Sequence, residues 1–263
     1  MRSNLYSIDG KIAGEVELPE VFSTEVNFEL ISRAAISDQT KRYQPKGNYK
    51  WAGMETSARY RGRKGDFGSG KNRGIAIRPR EVLPKGRLGR VKRIPSAVKG
   101  RRAHPPRVEE KIVEKINKKE YKAALRSAIA ATAKRQLVVA RGHRLPDSLV
   151  HLPIIVEDSF EAISKTSEVQ KFLSSIIPQD LERAKAPRQR VGVRARKGGK
   201  TYPKSAIIAV SKADSPVVLA ARNIPGIDVV AASGLKVELL APGAKPGRLA
   251  IYTQSALKEI SGL

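Results

Sequence analysis

Cysteine is absent from the 263 residues, and histidine occurs only three times. Without cysteine the chain can form no disulfide, thiolate nucleophile or cysteine zinc site, and three histidines do not favour a histidine-rich metal centre. No apolar run approaches the roughly 20 residues that a membrane-spanning helix needs. The first residues, Met1–Glu20, lack the apolar core of a secretory signal. We therefore expect a cytoplasmic protein with no metal and no other cofactor.

Aromatic and acidic residues are also scarce. Aromatic residues make up only 5% of the chain, which argues against a protein that works mainly by stacking on bases. Asp and Glu number 25 against 51 Lys and Arg, so the formal net charge is +26. A charge of this size repels itself and costs stability unless a polyanion neutralises it. Among the common polyanions, nucleic acid fits best.

The positive charge is concentrated in two segments. Between Lys41 and Val108 there are 21 Lys or Arg and 3 Asp or Glu, and between Arg183 and Lys204 there are 9 and none. The remaining 173 residues carry a net charge of −1. We predict a single domain with two basic insertions. The predicted boundaries are 1–263 for the domain, about 1–40 and 108–263 for its nearly neutral part, 41–107 for the first basic segment and 183–204 for the second.

The first basic segment has the composition of a loop. It holds 10 of the 21 glycines and 6 of the 16 prolines, and neither helical nor alternating apolar periodicity is evident in it. Such a stretch buries too little apolar surface to offset the entropy lost on ordering. A loop of this length inside a compact domain is usually functional or disordered. We predict a long irregular loop that becomes ordered between phosphates.

The neutral part predicts an α/β fold. Asp9-Gly10 between two apolar runs indicates a hairpin, and Asn117 with Glu120 resembles a capping box that opens a helix ending near Arg141. Phe28–Ile36 is a further predicted helix. From Val150 onward, strands and helices alternate, which favours a mostly parallel sheet with helices on both faces. The predicted strands are Val150–Val156, Ala206–Ser211, Ile227–Ala231 and Leu249–Thr253, and the helices are Ser167–Ile176, Ser215–Asn223, Leu235–Leu240 and Ser255–Ile260.

One motif resembles a nucleotide-binding loop. The sequence from Gly65 to Asn72 matches G-x-x-x-x-G-K, but Asn72 stands where a hydroxyl would hold magnesium. A true motif also follows a buried strand and opens a helix, whereas here basic and proline-containing stretches lie on both sides. We interpret it as a flexible basic loop in which glycine lets the backbone approach phosphates.

No catalytic or metal-binding arrangement emerges. Glu157 and Asp158 are adjacent, so on a strand they would point to opposite faces and form no acid–base pair. The spacing of His143 and His151 is more typical of ordinary surface or core residues than of metal ligands. A nucleophile elbow of the form G-x-S-x-G is missing from the sequence. We therefore predict no catalytic residues and no metal ligands, hence no enzyme.

The candidate RNA-binding residues follow the basic segments. Lys99–Arg107, with two prolines near its end, is interpreted as a rigid phosphate clamp, in which His104 would stack on RNA or form a hydrogen bond to it. Trp51 and Tyr49 either stack on bases or sugars or anchor the loop. Cations separated by glycine and proline suit an irregular RNA backbone better than a major groove. The candidates are Lys46, Lys50, Trp51, Arg59, Arg61, Arg63, Lys64, Lys71, Arg73, Arg78, Arg80, Lys85, Arg87, Arg90, Lys92, Arg93, Lys99, Arg101, Arg102, His104 and Arg107 in the first basic segment, and Arg188, Arg190, Arg194, Arg196, Lys197 and Lys200 in the second.

Several stretches together resemble one protein family, and they occur in order along almost the whole chain. They are Phe67–Lys71, Arg93–Pro106, Arg126–Ala133, Arg141–His143, Ala220–Asn223 and Leu240–Leu249. Each stretch alone is weak, but the set is similar to the universal large-subunit ribosomal protein L-four family in its archaeal and eukaryotic form. The lack of a long C-terminal extension favours the archaeal type.

The resemblance implies a structural rRNA-binding protein of the large ribosomal subunit. Its globular α/β part would lie on the subunit surface, and its loop would thread into 23S-type rRNA and help line the nascent-peptide exit tunnel. The loop tip would lie around Arg73–Gly86, with Arg73, Arg78, Arg80 and Lys85 as tunnel-lining candidates that meet the nascent peptide transiently. The other implied partners are neighbouring large-subunit proteins, and no membrane is involved.

Two other functions stay open from the residues alone. One is a phosphate-handling α/β enzyme with a basic lid, against which Asn72 argues. The other is a chromatin-type protein that packs DNA. Selective binding of rRNA over duplex DNA would separate the ribosomal function from the second alternative.

Overall fold

The computed structural model describes residues 1–146 and 149–262, apart from the side chain of Lys197. Part of the connection between Arg141 and His151 is therefore outside the described residues. The chain divides into two compact units. We call Met1–Arg42 together with the chain from Val113 onward the α/β unit, and Tyr43–Ile112 the basic unit.

Strands and α-helices alternate along most of the α/β unit. The described strands are β1 (Arg2–Tyr6), β2 (Ile12–Glu17), β3 (Arg80–Val82), β4 (Leu88–Val91), β5 (Ile154–Val156), β6 (Ile207–Val210), β7 (Asp228–Ala231) and β8 (Ala250–Thr253). The described α-helices are α1 (Phe28–Thr40), α2 (Lys118–Ala133), α3 (Arg135–Ala140), α4 (Thr166–Ile176), α5 (Pro178–Lys185), α6 (Pro216–Ala221), α7 (Val237–Leu240) and α8 (Gln254–Ser261).

Six of these strands form one sheet in the order β2-β1-β5-β8-β6-β7. The β1–β2 hairpin is antiparallel, and every other neighbouring pair is parallel, as in the pairings of Leu5 with Ile155 and of Ile208 with Ile251. The predicted fold class, a mostly parallel α/β sheet with helices, is confirmed.

The sheet is covered on both faces because side chains alternate along each strand. On one face, Ile154, Ile208 and Ile251 pack with the apolar sides of α4, α5 and α6. On the other face, Ile207 and Tyr252 pack with α1, α2, α7 and α8. Parallel strands that are buried on both sides consist almost wholly of apolar residues, and this explains the short continuous apolar runs of the sequence.

The capping box at Asn117 is present, and the helix it opens is shorter than predicted. The prediction that one helix runs to about Arg141 is wrong. Lys134 has an extended backbone (φ −87°, ψ 101°), so α2 ends at Ala133 and α3 begins at Arg135. The change of direction places Val138 in the core, where it is fully buried.

Two further elements differ from the sequence prediction. The strand predicted from Val150 begins only at Ile154. Helix α5 was not predicted, although Pro178 occupies a first-turn position that suits proline. Because α5 extends to Lys185, the residues Arg183–Lys185 at the start of the predicted second basic segment are helical, and the irregular stretch begins after them.

The basic unit is more regular than predicted. Strands β3 and β4 form an antiparallel hairpin, whose turn contains Lys85 and Gly86, both at positive φ. Arg59 pairs with Arg80 as a further bridge beside the hairpin. The expectation that the whole segment is irregular is therefore wrong, because Lys85 and Gly86 adopt the positive φ that closes a tight turn between Val82 and Leu88.

Across the described part of the chain, no helix combines the length and apolar character needed to cross a membrane.

Candidate nucleic-acid interface

The carboxyl ends of the parallel strands are where open α/β sheets commonly bind ligands. Here the carboxylate of Glu161 occupies that position. It accepts hydrogen bonds from the backbone N–H of Ser211 (2.7 Å) and from the hydroxyls of Ser211 (2.6 Å), Thr253 (2.6 Å) and Ser215 (3.2 Å). Burial alone raises the pKa of Glu161, but these hydrogen bonds lower it below its usual value. The carboxylate is thus an internal link between strands, and its acceptor oxygens are engaged within the protein.

The glycine motif at Gly65–Asn72 lacks the surroundings of a nucleotide site. It lies in a series of turns, no α-helix follows it within the fully described basic unit, and Lys71 is exposed. The N–H of Gly70 donates to the carbonyl of Arg61 at 2.9 Å, which folds the motif back on the preceding segment. This geometry supports its interpretation as a basic turn.

Most predicted RNA-binding cations of the basic unit are exposed. The exposed set is Lys46, Lys50, Arg59, Arg63, Lys64, Lys71, Arg73, Arg78, Lys85, Arg87, Arg90, Arg93, Lys99, Arg101, Arg102 and Arg107, together with His104. Within residues 43–112, all of which are described, the one ion pair joins Lys92 to Glu81 at 3.0 Å. The charge of this surface is therefore left to be neutralised from outside.

Three cations of the same unit, Arg61, Arg80 and Lys92, are only partly exposed, and two of them have side-chain contacts inside it. Arg61 donates to the carbonyl of Phe67 at 2.7 Å, and Lys92 pairs with Glu81. The Nε atom of Arg80 is buried without a hydrogen-bond partner in the described structure. Arg61 and Lys92 thus help to hold the turns, in addition to their predicted role as RNA contacts.

The basic unit contains several residues in an uncommon backbone conformation. Four residues other than glycine have positive φ there, namely Asn72, Lys85, Arg93 and Lys99. Left-handed backbone costs roughly 1–2 kcal/mol for a residue that has a Cβ, because that atom approaches the following carbonyl oxygen. Three of the four are cations, so this strain coincides with the charge that needs an anionic partner.

The aromatic candidates lie on the surface. Trp51 is 52% exposed and Tyr49 is 59% exposed. The hydroxyl of Tyr49 donates to Glu55, and this hydrogen bond raises the pKa of the tyrosine above its usual value. Tyr49 is thus tied to its own turn, whereas the exposed indole of Trp51 is suited to stacking.

The second basic segment is held by a short backbone bridge between Arg188 and Thr201. Arg190 donates through Nε to the hydroxyl of Thr201 (2.8 Å) and through Nη1 to the carbonyl of Gly198 (2.6 Å). The predicted contacts Arg188, Arg194, Arg196 and Lys200 are exposed, and Arg190 is half-buried. The predicted contact through Lys197 lies outside the described side chains.

Among the described side chains of the α/β unit, one cation, Arg248, is buried and cannot take part in such a surface. Arg248 is fully buried, pairs with Asp228 at 2.7 Å and donates to four backbone carbonyls. Burial lowers the pKa of Arg248 below its usual value, although the charge of Asp228 opposes this. The guanidinium therefore cross-links loops beneath the surface.

His143 belongs to a second buried polar cluster. Its Nε2 accepts from the N–H of Leu249 at 3.3 Å, so its Nδ1 carries the proton and donates to Asp180 at 3.1 Å. Asp180 also accepts from Ser205, from the N–H of Arg144 (3.2 Å) and from Nε of Arg183 (3.0 Å). His143 is thus a core residue, as one of the two interpretations held, while His151 is exposed. In the described residues, no group of three or more His, Asp or Glu could hold a metal ion.

The chain was compared with known proteins. Residues 16–263 match the model of the "Ribosomal protein L4/L1 family". A protein named "Large ribosomal subunit protein uL4" from Methanococcoides burtonii is 42% identical over 263 residues, covering 99% of this chain and 98% of that protein. Proteins of the same name from Haloarcula marismortui and Methanococcus maripaludis are 41% and 40% identical over 262 and 265 residues. They cover 99% and 100% of this chain, and the chain covers 99% of each of them.

Proposed function

The chain belongs to the ribosomal protein L4/L1 family, and from that premise we propose that it binds ribosomal RNA through its basic unit. Its relatives are named as proteins of the large ribosomal subunit. The chain is accordingly a structural ribosomal protein and not an enzyme, and it works in the large subunit in the cytoplasm. Its partners there are 23S-type rRNA and neighbouring large-subunit proteins.

The observation that carries the proposal is the unbalanced charge of the basic unit. It contains 20 Lys or Arg and 5 Asp or Glu, and a single internal ion pair, Lys92 with Glu81. Exposed cations bind phosphates favourably because each contact releases condensed counterions from the polyanion. Arginine adds bidentate contacts to phosphate. A polyanion with closely spaced phosphates is the partner that this surface fits.

The second basic segment supplies a smaller contact with RNA. The bridge between Arg188 and Thr201 brings its two ends together, so Arg194, Arg196 and Lys200 lie on one short loop. The absence of acidic residues from 183–204 supports a phosphate contact there as well.

We place the exit-tunnel contact at the hairpin of the basic unit. Arg73, Arg78 and Lys85 are exposed in and beside this hairpin, and Arg80 lies within it. The nascent peptide would meet these side chains transiently. Cross-linking of a stalled nascent chain to Lys85 or to its neighbours tests this part of the proposal, and cross-links confined to the α/β unit would contradict it.

Sedimentation tests the proposed function as a whole. A lysate is run through a high-salt sucrose gradient, and the fractions are probed for this chain. We expect it to migrate with the large subunit after the salt wash, because its cations are embedded between rRNA phosphates. Migration at the top of the gradient would contradict an rRNA-embedded role.

Competition assays separate the two alternatives. We expect the purified chain to prefer large-subunit rRNA to duplex DNA of equal length, and equal affinity would favour a DNA-packing protein. Hydrolysis of nucleoside triphosphates above the level of a Lys71→Ala variant would favour the enzyme. The turns that surround the motif Gly65–Asn72 and the exposure of Lys71 argue against that outcome.

A further inference from the structure

The basic unit contains a cavity of about 690 Å³ between two stretches of chain, residues 48–54 and 101–109. The two stretches are joined on either side of it. The N–H of Asn48 donates to the carbonyl of Pro106 at 3.4 Å, and a Cβ on Gly47 would come within 2.7 Å of Val108. A Cβ on Gly53, which has φ +75°, would come within 2.7 Å of the backbone of Arg101. Glycine is thus required where the stretches touch, and the space between them stays open.

The lining of the cavity combines apolar and cationic groups. Its apolar part consists of Ala52, Met54, Ala103, Pro105, Pro106 and Val108. Its cations are Lys50, Arg101, Arg102 and Arg107, against a single acid, Glu109. Adjacent prolines limit the backbone freedom of one wall, so this part of the chain loses little conformational entropy when a ligand fills the cavity. Of these apolar residues, the sequence points only to the two prolines, as part of the predicted clamp Lys99–Arg107, because isolated small side chains in a basic segment suggest only a linker.

We propose that this cavity receives one unstacked nucleotide of the ribosomal RNA, with the base against the apolar wall and its phosphates on the surrounding cations. The inference rests on the proposed function and specifies it further. Ligand-sized cavities span about 300–1,000 Å³, so there is room for a base with its ribose. RNA loops and bulges offer such bases, because they are already free of a helical stack.

The charge and the rim of the cavity favour this occupant over a peptide. Four cations and one acid repel basic protein segments and attract a phosphodiester. Trp51 stands between the lining residues Lys50 and Ala52 in the sequence and is half-exposed, which suits stacking on a neighbouring base. The carboxylate of Glu109 accepts hydrogen bonds and therefore favours a base with an exocyclic amino group.

Filling the cavity tests the inference. The variant Ala52→Leu with Ala103→Leu adds apolar volume inside it and removes no charge, and Ala76→Leu makes the same kind of change at a position of the same unit that does not line the cavity. Each protein is titrated with an in vitro transcript of the large-subunit rRNA across a salt series. We expect the filled variant to bind about tenfold more weakly at every salt concentration with an unchanged salt slope, because stacking and burial are lost and phosphate contacts are not.

Chemical probing identifies the nucleotide. Dimethyl sulfate and kethoxal modify unpaired bases that carry exocyclic amino groups. We expect one such base to be protected by the unaltered chain and by Ala76→Leu, and to become reactive with the filled variant. Circular dichroism melting of the three proteins verifies that all are equally folded.

The outcomes distinguish the two levels of the proposal. If the filled variant matches the unaltered chain in affinity and protection pattern, the cavity does not hold a nucleotide, while rRNA binding stands. If adenosine, cytidine or guanosine monophosphate binds the unaltered chain as tightly as the transcript does, the site is one for free nucleotides and the inference is wrong. If the unaltered chain does not bind the transcript, the proposed function fails and the inference fails with it.

Discussion

The two units of this chain treat positive charge in opposite ways. In the α/β unit, Arg248 and Arg183 lie at or below the surface and are matched by Asp228 and Asp180. In the basic unit, most cations face solvent, and one internal ion pair is present in this fully described region. A buried charge needs a partner within the fold because it has lost its hydration, whereas an exposed charge is hydrated and stays accessible to an external partner. The contrast separates residues that stabilise the protein from residues that we propose bind rRNA.

The two units also differ in what orders their backbones. The α/β unit has an apolar core on each face of its sheet. In the basic unit, Ala58 is the one buried residue of the fully described range 43–112. Its order comes from turns, a short hairpin and glycine contacts, which supply little hydrophobic free energy. The stability of the chain should therefore reside in the α/β unit and its affinity for RNA in the basic unit.

The largest expected effect comes from removing Gly47–Lys99 and joining the ends with a short glycine-serine linker. We expect the affinity for large-subunit rRNA to fall at least about 1,000-fold at moderate salt, since most phosphate contacts are lost. The α/β unit should keep its helical circular dichroism and a cooperative melt, because the deleted residues contribute almost nothing to its core. Loss of that melt would show that the two units depend on each other for folding.

Replacing Asp180 by Asn should have the opposite effect to this deletion, because it should lower the stability of the fold and leave the salt slope of RNA binding unaltered. The carboxylate is fully buried and links His143, Ser205 and Arg183, so its loss should lower the free energy of unfolding by about 3 kcal/mol. The salt slope of RNA binding should stay the same. Asp214→Asn, an exposed site, is the matched control and should change stability by less than about 0.5 kcal/mol. Urea unfolding measures both, and equal stabilities would contradict the assigned role of Asp180.

The pH dependence of stability should follow the same division. Burial raises the pKa of Asp180. The hydrogen bonds from His143 and Ser205 and the charge of Arg183 lower it by more than burial raises it, so the net pKa lies below its usual value. Burial likewise raises the pKa of Asp228, the charge of Arg248 lowers it, and the net pKa again lies below its usual value. A lowered pKa in the folded state gives stability that is present above the unfolded value of about 4 and is lost as pH falls through the folded value.

Urea midpoints between neutral and acidic pH test this expectation. The midpoint should decline below about pH 4, and the variant without Gly47–Lys99 should decline in parallel, because both carboxylates belong to the α/β unit. A shorter variant with a flat profile would place the titrating groups in the basic unit instead.

The smallest effect is expected from a single exposed cation. Arg63→Ala should reduce the salt slope of RNA binding by about one phosphate contact and leave the melting temperature unchanged. Lys171→Ala, exposed on a helix of the α/β unit, serves as the control and should change neither quantity. If both variants lowered the slope equally, the division of labour between the units would not hold.

Much of this molecule was predictable before its structure was available. The hairpin at Asp9-Gly10, the strands from Ala206 onward and the capping box at Asn117 follow from local chemistry, namely turn residues, apolar runs and side-chain caps. The basic segments were identified from charge alone. Local patterns failed at Lys134 and at Pro178–Lys185, where the packing of Val138 and the polar cluster around Asp180 decide the backbone.

The sequence by itself determined that the chain carries an unbalanced charge in two defined segments, because the number and the positions of Lys and Arg along the chain do not depend on how it folds. The tertiary structure alone decided which cations form ion pairs within the protein. It buried Arg248 against Asp228 and folded Lys92 onto Glu81, and it left Arg63 and Arg101 exposed. It also opened the cavity between residues 48–54 and 101–109. The physical reason is that pairing and enclosure join residues distant in sequence, and only the folded backbone brings them within a few ångströms.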